Sequence, residues 1–374
     1  MAGRRRGGAL AGLVALVVAA GCGGEGSVEV PDPPPGAPPL AVGVVANTLD
    51  AARARPGELG EVEALGVGWV REELRWAQIQ PAPGRPRWGA FDAVVADAAE
   101  RGLRVLPLLL GTPAWAGPEL TALPDDVDAF AAFAARAAAR YGPGGEFWVR
   151  RQRLDAKLAP RWFEIWNEPY FEVFASTGTD PAAYARLATA AARAGRAANP
   201  RTRWLAAAEL TYLDPAGERR PWLEPLVAAA PGLAESIDGL AVHPYSYGPP
   251  VGEEASLKFR FDRTAAIARR FAALTGRRLP VWITEIGWST CTLRPECVPD
   301  ETQAANFAAL FDVVRRPPLS DTVRAVFAYH LRDFPDRPAD DREAHFGLLD
   351  DAGDPKPAWW VVRGAAALAD GRAD

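Results

Sequence analysis

The chain has 374 residues, 49% of them hydrophobic, which suffices for one large α/β domain or two ordinary ones and excludes a disordered chain. Its formal net charge of −5 and pI near 5.5 argue against nucleic acid or an anionic membrane surface as partner, since both require a positive field. No basic run exists beyond Arg4, Arg5 and Arg6.

Those arginines open an export-type signal, followed by the apolar run Ala9 to Ala20, which is too short to span a bilayer, and small residues leading into Cys22. Val18-Ala-Ala-Gly-Cys22 resembles a bacterial lipobox. The resemblance implies that residues 1–21 are removed, that Cys22 is acylated, and that the mature protein is exported and held at the cell envelope. An ordinary cleaved signal without a lipid is the other reading. Residues 22–39 are Gly- and Pro-rich without a hydrophobic period and read as an extended tether.

From 40 to 370, short β-type runs alternate with helical patterns. The strands fall at Ala41–Ala46, Gly68–Arg71, Arg104–Leu109, Trp162–Trp166, Trp204–Ala208, Gly239–Val242, Val281–Thr284 and Ala325–Tyr329. Apolar residues at three- and four-residue spacing place helices at Leu59–Leu65, Phe91–Arg101, Val127–Tyr141, Pro181–Ala198, Pro221–Ala230, Leu257–Thr275, Glu301–Val314 and Ala358–Leu368. Eight strand–helix units predict a single (β/α)8 TIM barrel with enlarged loops, preceded by the signal peptide and Pro-rich tether. Asp125-Asp126 and Asp180-Pro181 supply helix starts in phase with this reading. Gly142 to Pro160 reads as an insertion on the non-catalytic face, where helices return to strands.

Cys291 and Cys297 form a close pair in a loop-like stretch. In an exported protein this predicts a small disulfide. A metal site would need further ligands, and the chain has three histidines, none beside the pair. No cofactor is expected.

In a barrel, chemistry sits where strands give way to the following loops. Trp162-Phe-Glu-Ile-Trp-Asn-Glu-Pro169 ends a short apolar strand in Asn167 and Glu168, and Pro280-Val-Trp-Ile-Thr-Glu-Ile-Gly-Trp288 ends another in Glu285. Other strand ends carry Asn47, Arg71 with Glu72, Trp115, Glu209, His243 with Tyr245, and Tyr329 with His330. Strands four and seven lie across a barrel from each other. Two facing carboxylic acids are what acetal hydrolysis requires, one to protonate the leaving oxygen and one to stabilise or attack the oxocarbenium-like carbon.

The two strings Phe-Glu-Ile-Trp-Asn-Glu-Pro and Val-Trp-Ile-Thr-Glu-Ile-Gly-Trp resemble the catalytic strands of clan A glycoside hydrolases, in particular family 39 and related family 5 type enzymes. Val70-Arg-Glu-Glu-Leu-Arg-Trp76, Thr112-Pro-Ala-Trp115, His243-Pro-Tyr245 and the Phe346 to Trp359 region follow in that family's order. The resemblance implies that Glu168 is the general acid/base and holds a proton at working pH, and that Glu285 is the ionised nucleophile. It implies that Arg71 and Tyr245 orient Glu285, that Asn167 donates to the sugar 2-hydroxyl, and that His243 belongs to the same network. The family's eighth strand carries a Trp under the sugar; here Tyr329 stands as the platform. Because the clan is retaining, the carboxyls are expected about 5–5.5 Å apart.

Each residue also has a structural reading. Arg71 could pair with Glu72 or Glu73 on the rim, His243 could be a core histidine, Tyr245 a loop anchor, and Glu209 either a cleft residue or a helix cap. Trp115 and Trp288 are expected to stack on sugar faces, and Trp282 to pack between strand and helix. The function these readings define is a monomeric retaining glycosidase cleaving, by double displacement, β-linked bonds of an extracellular poly- or oligosaccharide. The alternative is a carbohydrate-binding lipoprotein on the same barrel that has lost catalysis.

Overall fold

A computed structural model describes residues 30, 32–34, 38–49, 57–245 and 256–369, without the side chains of 256–262. The signal segment 1–21, Cys22 and most of the 22–39 tether lie outside the described residues.

Eight parallel strands close the barrel. They are β1 (Ala41–Val45), β2 (Trp69–Arg75), β3 (Arg104–Leu110), β4 (Trp162–Ile165), β5 (Arg203–Ala207), β8 (Gly239–Val242), β9 (Val281–Ile286) and β10 (Val323–Ala328). The order around the ring is β1, β2, β3, β4, β5, β8, β9 and β10, with β10 returning to β1. The (β/α)8 barrel expected from the sequence is therefore the fold. The remaining strands, β6 (Thr211–Leu213) and β7 (Arg219–Pro221), form an antiparallel hairpin in the loop after β5. That hairpin displaces the start of the helix read from Pro221, which begins at Leu223.

Side-chain alternation along each strand builds two cores. Val42, Val44, Val70, Phe163, Ile165 and Ile283 face the helices. Ala41, Val45, Trp69, Leu106, Trp162, Leu205, Trp282 and Phe327 fill the barrel interior. Trp282 is thus not a strand–helix packing residue as expected: it stands edge-to-face with Trp69 at 5.5 Å and tilted over Trp162 at 4.7 Å. Gly43 leaves room for this filling, because a Cβ there would meet the Phe327 ring at 2.5 Å.

Asp126 and Asp180 cap their helices as read, accepting from Ala129 and Ala182 amides. The 142–160 insertion joins the Val127–Tyr141 helix to β4 and so lies on the strand-entry side. It contains the helix Glu146–Arg150, whose Phe147 and Trp148 are buried. Cys291 and Cys297 are joined as a disulfide with a Cα–Cα distance of 5.3 Å.

Candidate active site

On β2, alternation turns Arg71 into the barrel mouth. Its guanidinium is divided among three acceptors: Nε donates to Glu164 Oε2 at 2.6 Å, Nη1 to Glu285 Oε1 at 2.5 Å, and Nη2 to Glu164 Oε1 and Asn167 Oδ1 at 3.1 and 2.8 Å. Arg71 therefore does not pair with Glu72 or Glu73. Glu72 points the other way on the strand, buried, with Oε1 accepting from the Thr48 amide at 3.4 Å and Oε2 unpartnered. Burial pushes its carboxyl up to about 8.

Sequence reasoning missed Glu164. It lies on the same face of β4 as Trp162 and is only 1% exposed. Burial alone would raise its pKa, but the charge and hydrogen bonds of Arg71, with His243 Nε2 nearby at 3.9 Å, outweigh burial and hold it down at about 2. An acid in the middle of an otherwise apolar strand was the available signal, since such a group needs a buried cation.

Beyond β4 the backbone departs from strand geometry. Trp166 and Glu168 have φ of 63° and 37°, a left-handed conformation costing of order 1–3 kcal/mol per residue unless its surroundings fix it. They do so here. The Trp166 amide donates to Leu109 O, its indole N–H donates to Phe174 O at 2.7 Å, and its ring stands edge-on to Phe130. The turn re-aims the chain so that Asn167 and Glu168 both reach the site.

A different device serves β9. Its pairing with β10 shifts register between Ile283 and Ile286, leaving two β9 residues opposite one. Such a bulge breaks strict alternation. Thr284 and Glu285 can therefore both contact the barrel mouth. Thr284 donates to Glu164 Oε1 at 2.9 Å, and Tyr245 OH donates to Glu285 Oε2 at 2.9 Å.

His243 connects the two acids. Because the Thr284 hydroxyl proton goes to the ionised Glu164, Thr284 Oγ1 accepts from His243 Nε2–H at 2.9 Å, which turns Nδ1 toward Glu168 Oε1, also at 2.9 Å. Burial would lower the His243 pKa, but the charges of Glu285, Glu164 and Glu168 prevail and push it up to about 10. Nδ1 also lies 3.7 Å from Glu285 Oε2. With both acids this close to one nitrogen, Glu168 Oε1 and Glu285 Oε2 can be no more than about 6.6 Å apart.

The aromatic expectations divide. Tyr329 is half-buried and stands edge-to-face with Tyr245 at 6.1 Å, in a wall completed by Phe346. Trp115 is half-buried, with its ring N–H on Gln80 O and its edge against Trp76. Trp288, expected to stack on sugar, is 2% exposed and edge-on to Phe307 at 5.1 Å. It packs the core, because the chain after the bulge carries its ring toward the helix Asp300–Val314. Glu209 accepts from its own neighbour's amide at Leu210 and from Arg263 Nε at 2.7 Å, a pair that ties the end of β5 to the helix Ser256–Thr275. Among the described residues no group of three or more His, Cys, Asp or Glu is placed to hold a metal ion.

No protein-family model and no curated protein matches this chain. Solved structures do. A family 39 glycoside hydrolase from the gut symbiont Bacteroides cellulosilyticus WH2 superposes with TM-score 0.63 and 21% identity, over 89% of this chain and 64% of that one. A monomeric beta-xylosidase from Caulobacter crescentus CB15 gives 0.59 and 20%, over 90% and 69%. GH5_18 from Streptomyces cattleya, in complex with GlcNAc, gives 0.60 and 22%, over 88% and 80%. The chain thus has the barrel fold of family 39 and family 5 glycoside hydrolases, as its motifs anticipated. It spans 64% of the length of the first of these structures.

Proposed function

We propose that this protein is a retaining glycosidase. The observation that carries the reading is the convergence of Glu168 and Glu285 on one histidine nitrogen, with their nearest oxygens at most about 6.6 Å apart, which is the bottom of the ~6.5–9.5 Å range that admits a water between the acids of an inverting enzyme. Glu285, oriented by hydrogen bonds from Arg71 and Tyr245, attacks the anomeric carbon. Glu168 gives a proton to the leaving oxygen, and once the glycosyl ester has formed it takes one from the incoming water. His243 Nδ1 is the group with which Glu168 exchanges its hydrogen bond as it changes role. Asn167 Oδ1 is committed to Arg71, so its amide N–H groups are the ones available to a sugar 2-hydroxyl. Tyr329 and the open part of Trp115 offer flat apolar faces to the ring.

On the same reading the substrate is a β-linked glycoside outside the cell, an oligo- or polysaccharide among the candidates. The protein acts as a monomer, exported and tethered through residues 22–39 to a lipid on Cys22. Support for export comes from the signal-like N-terminus. Proton NMR of the first-formed product from a β-linked aryl glycoside and polysaccharide panel tests the chemistry: the β-anomer appears first, whereas initial α-anomer or no turnover on any substrate overturns it. Radiolabelled palmitate incorporation that disappears in Cys22→Ser tests the anchor.

A further inference from the structure

Phe171, Val173 and Leu213 are 55%, 59% and 56% exposed. Exposed apolar side chains are ordinary one by one, whereas a contiguous group of them marks a ligand or partner site. Two observations tie the segments that carry them to each other and to the site. First, Phe171 donates its amide to Glu168 O at 2.8 Å, so the segment Tyr170–Phe174 is hung directly on the residue assigned as proton donor. Second, Tyr170, beside Phe171, and Tyr212, beside Leu213, both stand edge-on to the fully buried Trp222, at 5.7 and 5.8 Å. The loop after β4 and the β6–β7 hairpin are therefore fixed to one indole. The hairpin's charges are spent within it: Arg220 pairs with Asp214 and Glu218, and Arg219 bonds Thr211.

From this geometry, and resting on the glycosidase reading, we propose that Phe171, Val173 and Leu213 form a shelf that receives an apolar leaving group, such as an alkyl, aryl or terpenoid alcohol, as Glu168 protonates its oxygen. A proton donor faces the leaving group by necessity, so the surface continuous with Glu168 is the surface the leaving group meets. Two of the three residues are aliphatic. Branched aliphatic side chains bury methylenes well, whereas sugar rings stack best on aromatic faces. An apolar alcohol fits this shelf better than a further sugar unit.

The test uses the full protein and n-alkyl β-glycosides of the sugar cleaved in the panel, from methyl to octyl, below their micellar concentrations. kcat/KM is expected to rise roughly two- to fourfold per methylene over the part of the chain that the shelf covers. In Phe171→Ser/Val173→Ser that slope is expected to flatten, while Trp360→Ser, exposed on the C-terminal helix, keeps the wild-type slope. A flat series in the wild type, or an unchanged slope in the double variant, overturns the proposal. So does a flat series accompanied by a dimer that the double variant dissolves, which assigns the shelf to a second copy. If no glycoside is cleaved, the glycosidase reading fails, and calorimetric titration with the same series then decides on the shelf: affinity that climbs with chain length and is lost in the double variant upholds it, and uniform affinity overturns it.

Discussion

Arg71 and Glu164 form a fully enclosed ion pair in which the guanidinium edge, at 2.6 and 3.1 Å, covers both carboxylate oxygens. The pair fixes the guanidinium so that its remaining N–H groups meet Glu285 and Asn167. Removing the acid leaves a buried charge with less compensation, which typically costs about 3–5 kcal/mol. Glu164→Gln is expected to lower unfolding stability by that order in urea titration and to reduce kcat, since Arg71 is then free to turn. Unchanged stability would show that the pair is not what holds the site.

The same pair has an acid signature. Glu164 is held at about 2, below the ordinary carboxylate value, so its contribution is fully present above about pH 4.5 and drains away as pH falls toward 2. Thermal melts of the wild type should lose stability over that window. Glu164→Gln should lose less over the same range.

Glu72 runs the opposite way. A carboxyl pushed up to about 8 is kept neutral in the fold, while in the unfolded chain it ionises near pH 4.5, so stability falls as pH rises from about 4.5 to 8. Glu72→Gln removes that penalty. It is expected to melt higher than wild type at pH 8 and to match it near pH 4, and a lower melting point at pH 8 would contradict the assignment. His243, pushed up to about 10, adds stability that is complete below about pH 6.5 and lost as pH climbs toward 10.

Chemical roles separate by substitution. Glu168→Ala is expected to lose on the order of 10²–10⁴-fold in kcat with a poor leaving group. It should lose much less with an activated aryl one, and azide should partly rescue it. Glu285→Gln should be inactive with both. Tyr245→Phe removes a hydrogen bond to a charged oxygen, worth about 1.5–3 kcal/mol, and so should cost roughly 10- to 100-fold in kcat/KM. Equal, full activity in the two glutamate variants would remove them from the mechanism.

Within the barrel, Gly43→Ala places a methyl group 2.5 Å from the Phe327 ring. Overpacking of this kind costs typically 1–3 kcal/mol, measurable as a lower denaturation midpoint with little change in its slope.

What the sequence by itself determined is the alternation of strand and helix, the closing of eight such units, and the residues at strand ends. Period-two and period-3.6 patterns and polar groups after apolar runs are local signals, written in neighbouring residues. Arg71, Asn167, Glu168, His243, Tyr245 and Glu285 were singled out because they end apolar strands and because the strings that carry them resemble catalytic strands; taken singly, Arg71, His243 and Tyr245 each kept a structural reading. Tertiary structure alone decided the rest. Glu164 became the partner of Arg71 because β2 and β4, which are not adjacent strands, bring their inward faces together across the barrel. Thr284 and Glu285 share one face because of a bulge that exists only in the pairing of β9 with β10. Trp282 and Trp288 both left their expected places, one for the barrel interior and the other for the outer core. A tryptophan's surroundings depend on which strands and helices arrive from elsewhere in the chain, and no short-range pattern records that.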